Sequence, residues 1–98
     1  MWFYNTYPHL RGCFFRIKNE GTSAISGAID KAIGVVPGVA DMCLLINQTA
    51  VFIEFKTPTG RQSPKQKEWQ LKIELEGYQY YLIRSENEFK ELCQKLGL

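Results

Sequence analysis

The chain has 98 residues, with 12 basic and 10 acidic side chains and a formal net charge of +2 at pH 7. A chain of this length is expected to form a single domain, 1–98, with a thin hydrophobic core. So small a net charge does not by itself indicate nucleic-acid binding, and DNA binding would require basic groups gathered on one face.

The cysteines Cys13, Cys43 and Cys93 are far apart and lack any redox or metal-ligand spacing. This excludes a cysteine-based redox or metal-storage protein and favours a reduced, cytoplasmic location. The first residues lack the basic start and long apolar run of a signal peptide, and no apolar run approaches a membrane span. We therefore expect an intracellular protein without a membrane partner.

The N-terminal segment is unusually aromatic and predicts a short helix or an extended arm. Its aromatic residues are Trp2, Phe3, Tyr4 and Tyr7. A small chain has little internal surface to cover such groups, so we expect a second copy to bury them in a homodimer. Alternation of apolar residues at Phe15 and Ile17 then predicts a short strand.

A helix is predicted next, with Thr22 or Ser23 as its N-cap and Gly34 as its stop. The apolar residues at helical spacing are Ile25, Ala28, Ile29, Ala32 and Ile33. Two strands should follow, from Asp41 to Ile46 and from Thr49 to Lys56. A tight turn at Asn47–Gln48 would join them into an antiparallel hairpin.

The C-terminal third predicts helix, strand and helix. Ser63 is a suitable N-cap, Pro64 suits the first helical position, and Gly77 is a stop. Residues 78–83 read as a strand, and a capping box at Ser85 opens a last amphipathic helix. This order of elements predicts an α/β sandwich around a small mixed β-sheet.

Three charged residues interrupt the two apolar strands of the hairpin. Side chains alternate along a strand, so Glu54 and Lys56 point the same way, and Asp41 comes from the preceding strand. Charges on an otherwise buried strand are costly unless they have a partner or a function. Carboxylates beside an ammonium group suit metal-assisted phosphodiester hydrolysis, because oxygen ligands hold Mg²⁺ and a lysine can act on the attacking water.

Five segments extend this pattern through most of the chain. They are Asn19–Gly21, Gly34–Asp41, Ile53–Pro58, Gly60–Gln66 and Gly77–Tyr78. Together they resemble the virus-type replication-repair nuclease (VRR-NUC) domain of the PD-(D/E)xK superfamily, in particular its stand-alone, phage-like members. A bare D…ExK is weak evidence, whereas its combination with the glycine-rich approach and the Ser-Pro-Lys-Gln helix start is specific. The resemblance implies a restriction-endonuclease-like α/β core.

The resemblance also implies roles for individual residues. Asp41 and Glu54, with the backbone carbonyl of Phe55, would hold Mg²⁺ or Mn²⁺, and Lys56 would orient or activate water. Gln66 belongs to the catalytic site in the family, although a glutamine at the third helical position is also explained by a capping box.

The chain departs from the family pattern at two positions. Many members carry an earlier glutamate in a longer first helix, and residues 1–19 here contain no acid. Glu20 either supplies that metal ligand or is a turn residue before a helix. Ala40 replaces the proline that usually precedes the aspartate, which changes the stiffness of the loop and not its ligand chemistry.

Basic residues around the helix predicted to begin at Ser63 are candidates for DNA binding. They are Arg61, Lys65, Lys67 and Lys72. They form either a DNA-backbone contact or an ordinary solvated helix surface. The resemblance implies a metal-dependent endonuclease that resolves four-way (Holliday) DNA junctions as a homodimer. The alternative is a non-catalytic DNA-binding or assembly module that kept the fold. The presence of Asp41, Glu54 and Lys56 together argues against that alternative.

Overall fold

The structure, a computed structural model, describes residues 1–17, 28–29, 32, 34 and 36–98. The helices are α1 (Trp2–Thr6), α2 (Pro64–Leu75) and α3 (Glu86–Lys95), with a 3-10 turn at Pro8–Leu10. The strands are β1 (Phe14–Arg16), β2 (Met42–Ile46), β3 (Thr49–Phe55) and β4 (Gln79–Ile83). None of the helices within these ranges is long and apolar enough to cross a membrane.

The helix predicted before Gly34 is described only in part. Ala28, Ile29 and Ala32 are helical, as predicted. Its proposed caps Thr22 and Ser23 lie outside the described residues, as do Ile25 and Ile33.

The four strands form one mixed sheet in the order β1-β2-β3-β4. The first two pairings are antiparallel, and β3 pairs with β4 in parallel. A parallel pair needs a long crossover, and α2 provides it between β3 and β4. Asn47 and Gln48, at φ 51° and 63°, form the predicted tight turn of the β2–β3 hairpin. The predicted α/β fold with a small mixed sheet is therefore confirmed.

One face of the sheet, the core face, packs against α1 and α3. Its core cluster comprises Phe3, Phe14, Leu44, Val51, Ile53, Ile83, Phe89, Leu92 and Cys93. The other face, the site face, carries Phe52, Glu54 and Tyr80, and α2 lies against it. Trp69 of α2 contacts Phe52 edge-on, with ring centroids 5.0 Å apart. No α2 residue is buried, so this helix packs on the sheet through side chains that stay partly exposed.

The N-terminal aromatic segment packs within a single chain, contrary to the prediction from the sequence. Phe3 is 0% exposed within a single chain, and its ring lies 4.6 Å from that of Phe14. Trp2, Tyr4 and Tyr7 are partly buried against the same core cluster. The expectation that a second copy must cover these residues is therefore wrong. The short helix α1 folds back over β1 and α3, and this supplies the intramolecular surface.

Candidate active site

Glu54 is the buried charged residue of the described part of the chain, at 1% exposure. It lies on β3, and alternation along the strand directs it to the site face. Its Oε2 atom accepts a hydrogen bond of 2.8 Å from the Tyr80 hydroxyl. Burial raises the pKa of Glu54 to about 7 against the lowering effect of that hydrogen bond. The nearby Asp41 carboxylate contributes to this rise in pKa, and Lys56 opposes it.

Asp41 lies directly before β2, half-buried beside Glu54. Met42 pairs with Ile53, so the same register, continued by one step, sets Asp41 opposite Glu54. The Asp41 carboxylate accepts a hydrogen bond of 2.9 Å from the backbone N–H of Phe55. The Asp41 carbonyl accepts another, of 2.8 Å, from the N–H of Ile17. The structure thus brings together the two predicted carboxylate ligands.

Phe55 and Lys56 follow Glu54 at the end of β3. The N–H and C=O of one strand residue point to the same side, so the Phe55 carbonyl points toward Asp41, as its N–H does. The Phe55 ring lies on the core face, 5.6 Å from the Phe89 ring. The N–H of Lys56 donates to the Ile83 carbonyl at 2.9 Å, which holds the lysine backbone against β4.

The donors at this end of the sheet fit a hard divalent cation. Glu54 and Asp41 are adjacent carboxylates, and Glu54 accepts the Tyr80 hydrogen bond through Oε2. Those residues contain no cluster of three or more His, Cys, Asp or Glu side chains. Mg²⁺ commonly uses one or two carboxylates and completes its octahedron with other oxygens and water. Asp41, Glu54 and the Phe55 carbonyl form such a donor set. Glu20 lies outside the described residues.

Gln66 forms a capping box with Ser63 at the start of α2. This is the structural role that the sequence allowed as an alternative to catalysis. Its backbone N–H donates to Ser63 Oγ at 3.2 Å, and its Oε1 accepts from the Ser63 N–H at 2.8 Å. These bonds satisfy two unpaired donors at the start of α2. The capping contact engages only Oε1, so a catalytic role for the Gln66 amide stays a prediction.

The loop that leads to Asp41 packs against the start of α2 at Gly38. This glycine has φ +84°, and a Cβ there would lie 2.4 Å from the Lys65 carbonyl oxygen and 2.9 Å from the Gln66 nitrogen. Both the left-handed backbone and the close approach therefore require glycine. The contact fixes the Asp41 loop against the helix turn that contains Gln66.

Three polar residues near the site are absent from the sequence-based prediction: Gln62, Tyr80 and Arg84. Gln62 Nε2 donates to the Tyr80 hydroxyl at 3.1 Å. Burial and the Glu54 contact raise the pKa of Tyr80 above its usual value, so its hydroxyl keeps its proton. Arg84 Nη1 donates to the carbonyls of Thr57 and Gly60 at 2.8 and 2.5 Å, which fixes the loop after Lys56. The sequence could have indicated Tyr80 through its hydroxyl group within a predicted strand, because a buried tyrosine hydroxyl needs a partner.

The four basic candidates for DNA binding are all exposed, but the structure does not gather them all on one face. Lys65 and Lys72, seven residues apart on α2, border a cavity of about 140 Å³ that Val36 and Pro37 also line. Lys67 follows Lys65 by two positions, about 200° around the helix, and so lies on the other side of α2. Arg61 lies in the loop before α2.

The fold and the site define a class: an α/β protein whose sheet presents the D…ExK arrangement of a nuclease. A family model described as the VRR-NUC domain matches residues 6–87. The chain belongs to this nuclease-type family, as the sequence predicted. A solved structure named as a VRR_NUC domain protein shares the fold, with 21% identity and a TM-score of 0.72. That match covers 88% of this chain and 68% of the other. No curated protein matches the chain.

Proposed function

We propose that residues 1–98 form a DNA endonuclease that depends on Mg²⁺ or Mn²⁺, with Asp41, Glu54 and the Phe55 carbonyl as ligands. The observation that carries this proposal is the burial of Glu54, 1% exposed, beside Asp41. Burying a carboxylate next to a second one destabilises the charged form, and a bound cation would offset that cost. Membership of the VRR-NUC family supports the same reading.

Each residue has a distinct part in the proposed hydrolysis. A bound divalent cation would supply a Lewis acid for the scissile phosphate. Asp41 and Glu54 hold their carboxylates together at the ends of neighbouring strands. Lys56 lies on the Glu54 side of β3, where its ammonium group can orient the attacking water or stabilise charge that develops on the phosphate. Gln66, at the first turn of α2, would donate a hydrogen bond from its side-chain amide N–H to the substrate or to water.

The proposed substrate is branched DNA, and the proposed active form is a homodimer. The resemblance to stand-alone, phage-like family members supports four-way junctions as substrate. Two sites related by a two-fold axis suit two symmetric cuts. The N-terminal aromatic residues no longer argue for a dimer, because they pack within one chain. The unpaired thiols of Cys13, Cys43 and Cys93 support the proposed intracellular location.

A cleavage panel tests this proposal. The purified protein would be incubated with labelled four-way junctions, flaps, duplexes and single strands in Mg²⁺, Mn²⁺ or EDTA. Glu54→Gln, which keeps the side-chain shape and removes the charge, is the matched control. We expect metal-dependent cutting by the natural chain, none in EDTA and none by the variant. Binding without cutting in any metal would instead establish the non-catalytic module, and light scattering would test the dimer.

A further inference from the structure

A line of hydrogen bonds joins α2 to Glu54 across the site face. Gln62 Nε2 donates to Gln70 Oε1 at 2.9 Å and to the Tyr80 hydroxyl oxygen at 3.1 Å. The Tyr80 hydroxyl then donates to Glu54 Oε2 at 2.8 Å. The Tyr80 oxygen accepts the hydrogen bond from Gln62, so the Tyr80 O–H group is free to donate its own hydrogen bond to Glu54. Tyr80 is itself buried, at 7% exposure, so water does not readily replace it in this contact.

The contact has a consequence for how Glu54 can bind an ion. The terminal torsion of a glutamate is broad, so an unrestrained carboxylate can turn either one or both oxygens toward a cation. Tyr80 donates to Oε2, and none of the described residues donates a hydrogen bond to Oε1, so Oε1 is open for coordination within that part of the chain. Ca²⁺ accepts carboxylates through one or two oxygens in a flexible shell, whereas Mg²⁺ requires a near-ideal octahedron.

We propose that Tyr80 is a positioning residue that holds Glu54 for coordination through one oxygen, and that it thereby favours Mg²⁺ or Mn²⁺ over Ca²⁺. The inference rests on the proposed function, because it takes Glu54 as a metal ligand. Gln62 supports the arrangement by orienting the Tyr80 hydroxyl. Partners that hydrogen-bond to metal ligands commonly change metal affinity by about 10–100-fold when they are lost.

The test compares metal binding by Tyr80→Phe and Tyr81→Phe in the absence of DNA. Tyr81 is the matched control, because its hydroxyl also donates to a side chain, Gln79 Oε1 at 2.5 Å, and it neighbours Tyr80 on the opposite face. Mn²⁺ binding would be followed by electron paramagnetic resonance and Ca²⁺ binding by competition. We expect Tyr80→Phe to weaken Mn²⁺ binding about tenfold or more and Ca²⁺ binding by less. Tyr81→Phe should leave the ratio of the two affinities unchanged.

A second variant keeps the inference testable if Tyr80→Phe does not fold, as judged by circular dichroism. Gln62→Leu leaves the Tyr80 hydroxyl in place and should move the affinity ratio in the same direction by a smaller factor. An unchanged ratio in the folded Tyr80→Phe protein, or in Gln62→Leu, would overturn the positioning role. If Tyr80→Phe and Gln62→Leu left the ratio of the Mn²⁺ and Ca²⁺ affinities unchanged while the natural chain bound Mn²⁺ and cut junctions, only the positioning role of Tyr80 would fail. Absence of Mn²⁺ binding by the natural chain would overturn the proposed metal site as well.

Discussion

The Asp41 carboxylate accepts a hydrogen bond of 2.9 Å from the backbone N–H of Phe55, so one candidate metal ligand fixes the residue that carries another. The bond ties the start of β2 to the end of β3 at the point where Glu54 and Lys56 project. Asp41 therefore has a structural task as well as a chemical one, and two substitutions should separate them.

We expect Asp41→Asn to keep this hydrogen bond through its amide oxygen and to retain nearly all the stability of the natural chain. Asp41→Ala leaves the Phe55 N–H without this acceptor and should cost about 1 kcal/mol. Both variants lack the ligand charge, so both should lose metal-dependent cleavage. Urea denaturation in EDTA and junction cleavage in Mn²⁺ would measure the two effects. Cleavage by Asp41→Asn at the natural rate would remove this carboxylate from the metal site.

Glu54→Gln should stabilise the metal-free protein above neutral pH. Folding raises the pKa of Glu54 from 4.5 to about 7, so the folded state binds the proton more tightly than the unfolded state. The cost of the carboxylate is therefore absent below pH 4.5, grows between pH 4.5 and 7, and is complete above pH 7. The shift corresponds to a free energy of about 3 kcal/mol.

Thermal unfolding in EDTA from pH 4 to pH 8 would measure this difference. The melting temperatures of the natural chain and Glu54→Gln should converge at the acid end and separate as the pH rises. Adding Mn²⁺ at pH 8 should stabilise only the natural chain, because an ion that binds the folded state raises its stability. A variant less stable than the natural chain at pH 8 in EDTA would contradict the argument.

Gly38→Ala should destabilise the fold more than Gly12→Ala. Both glycines have left-handed backbones, with φ +84° and +90°, so both substitutions carry a conformational cost of about 1–2 kcal/mol. A Cβ at Gly12 would meet no atom within 4 Å, whereas at Gly38 it would clash with the Lys65 carbonyl. The alanine at position 38 must therefore also displace the Asp41 loop from α2, which adds about 1–3 kcal/mol. Chemical denaturation would show equal losses if the loop did not pack on α2 as described.

Local patterns predicted most of the fold. The hairpin turn at Asn47–Gln48, the cap at Ser63 and the last helix depend on neighbours in sequence, so the residues themselves indicate them. The opposition of Asp41 and Glu54 also follows from a short hairpin, because the turn sets the register of both strands.

The missed features depend on contacts between distant segments. Tyr80 reaches Glu54 because β3 and β4 pair in parallel with Phe52 opposite Tyr80, and no turn residue specifies that register. Phe3 belongs to the core because α1 returns over Phe14 and Phe89. An aromatic segment with no periodic signal does not indicate whether its own chain or another one covers it.

The two sides of α2 should differ in their contribution to DNA binding. Lys65 and Lys72 border the loop at Val36 and Pro37 that continues to Asp41, whereas Lys67 projects from the other side of the helix. If DNA reaches the metal site along that loop, Lys65→Ala and Lys72→Ala should each weaken binding and reduce the salt slope by about 1. Lys67→Ala, with the same change in net charge, is the matched control and should have less than half that effect. Fluorescence anisotropy of a labelled four-way junction in EDTA, over a series of salt concentrations, would measure the slopes. Equal slopes for all three variants would mean that α2 contributes only its net charge, and a larger loss for Lys67→Ala would place the DNA on the opposite side of the helix.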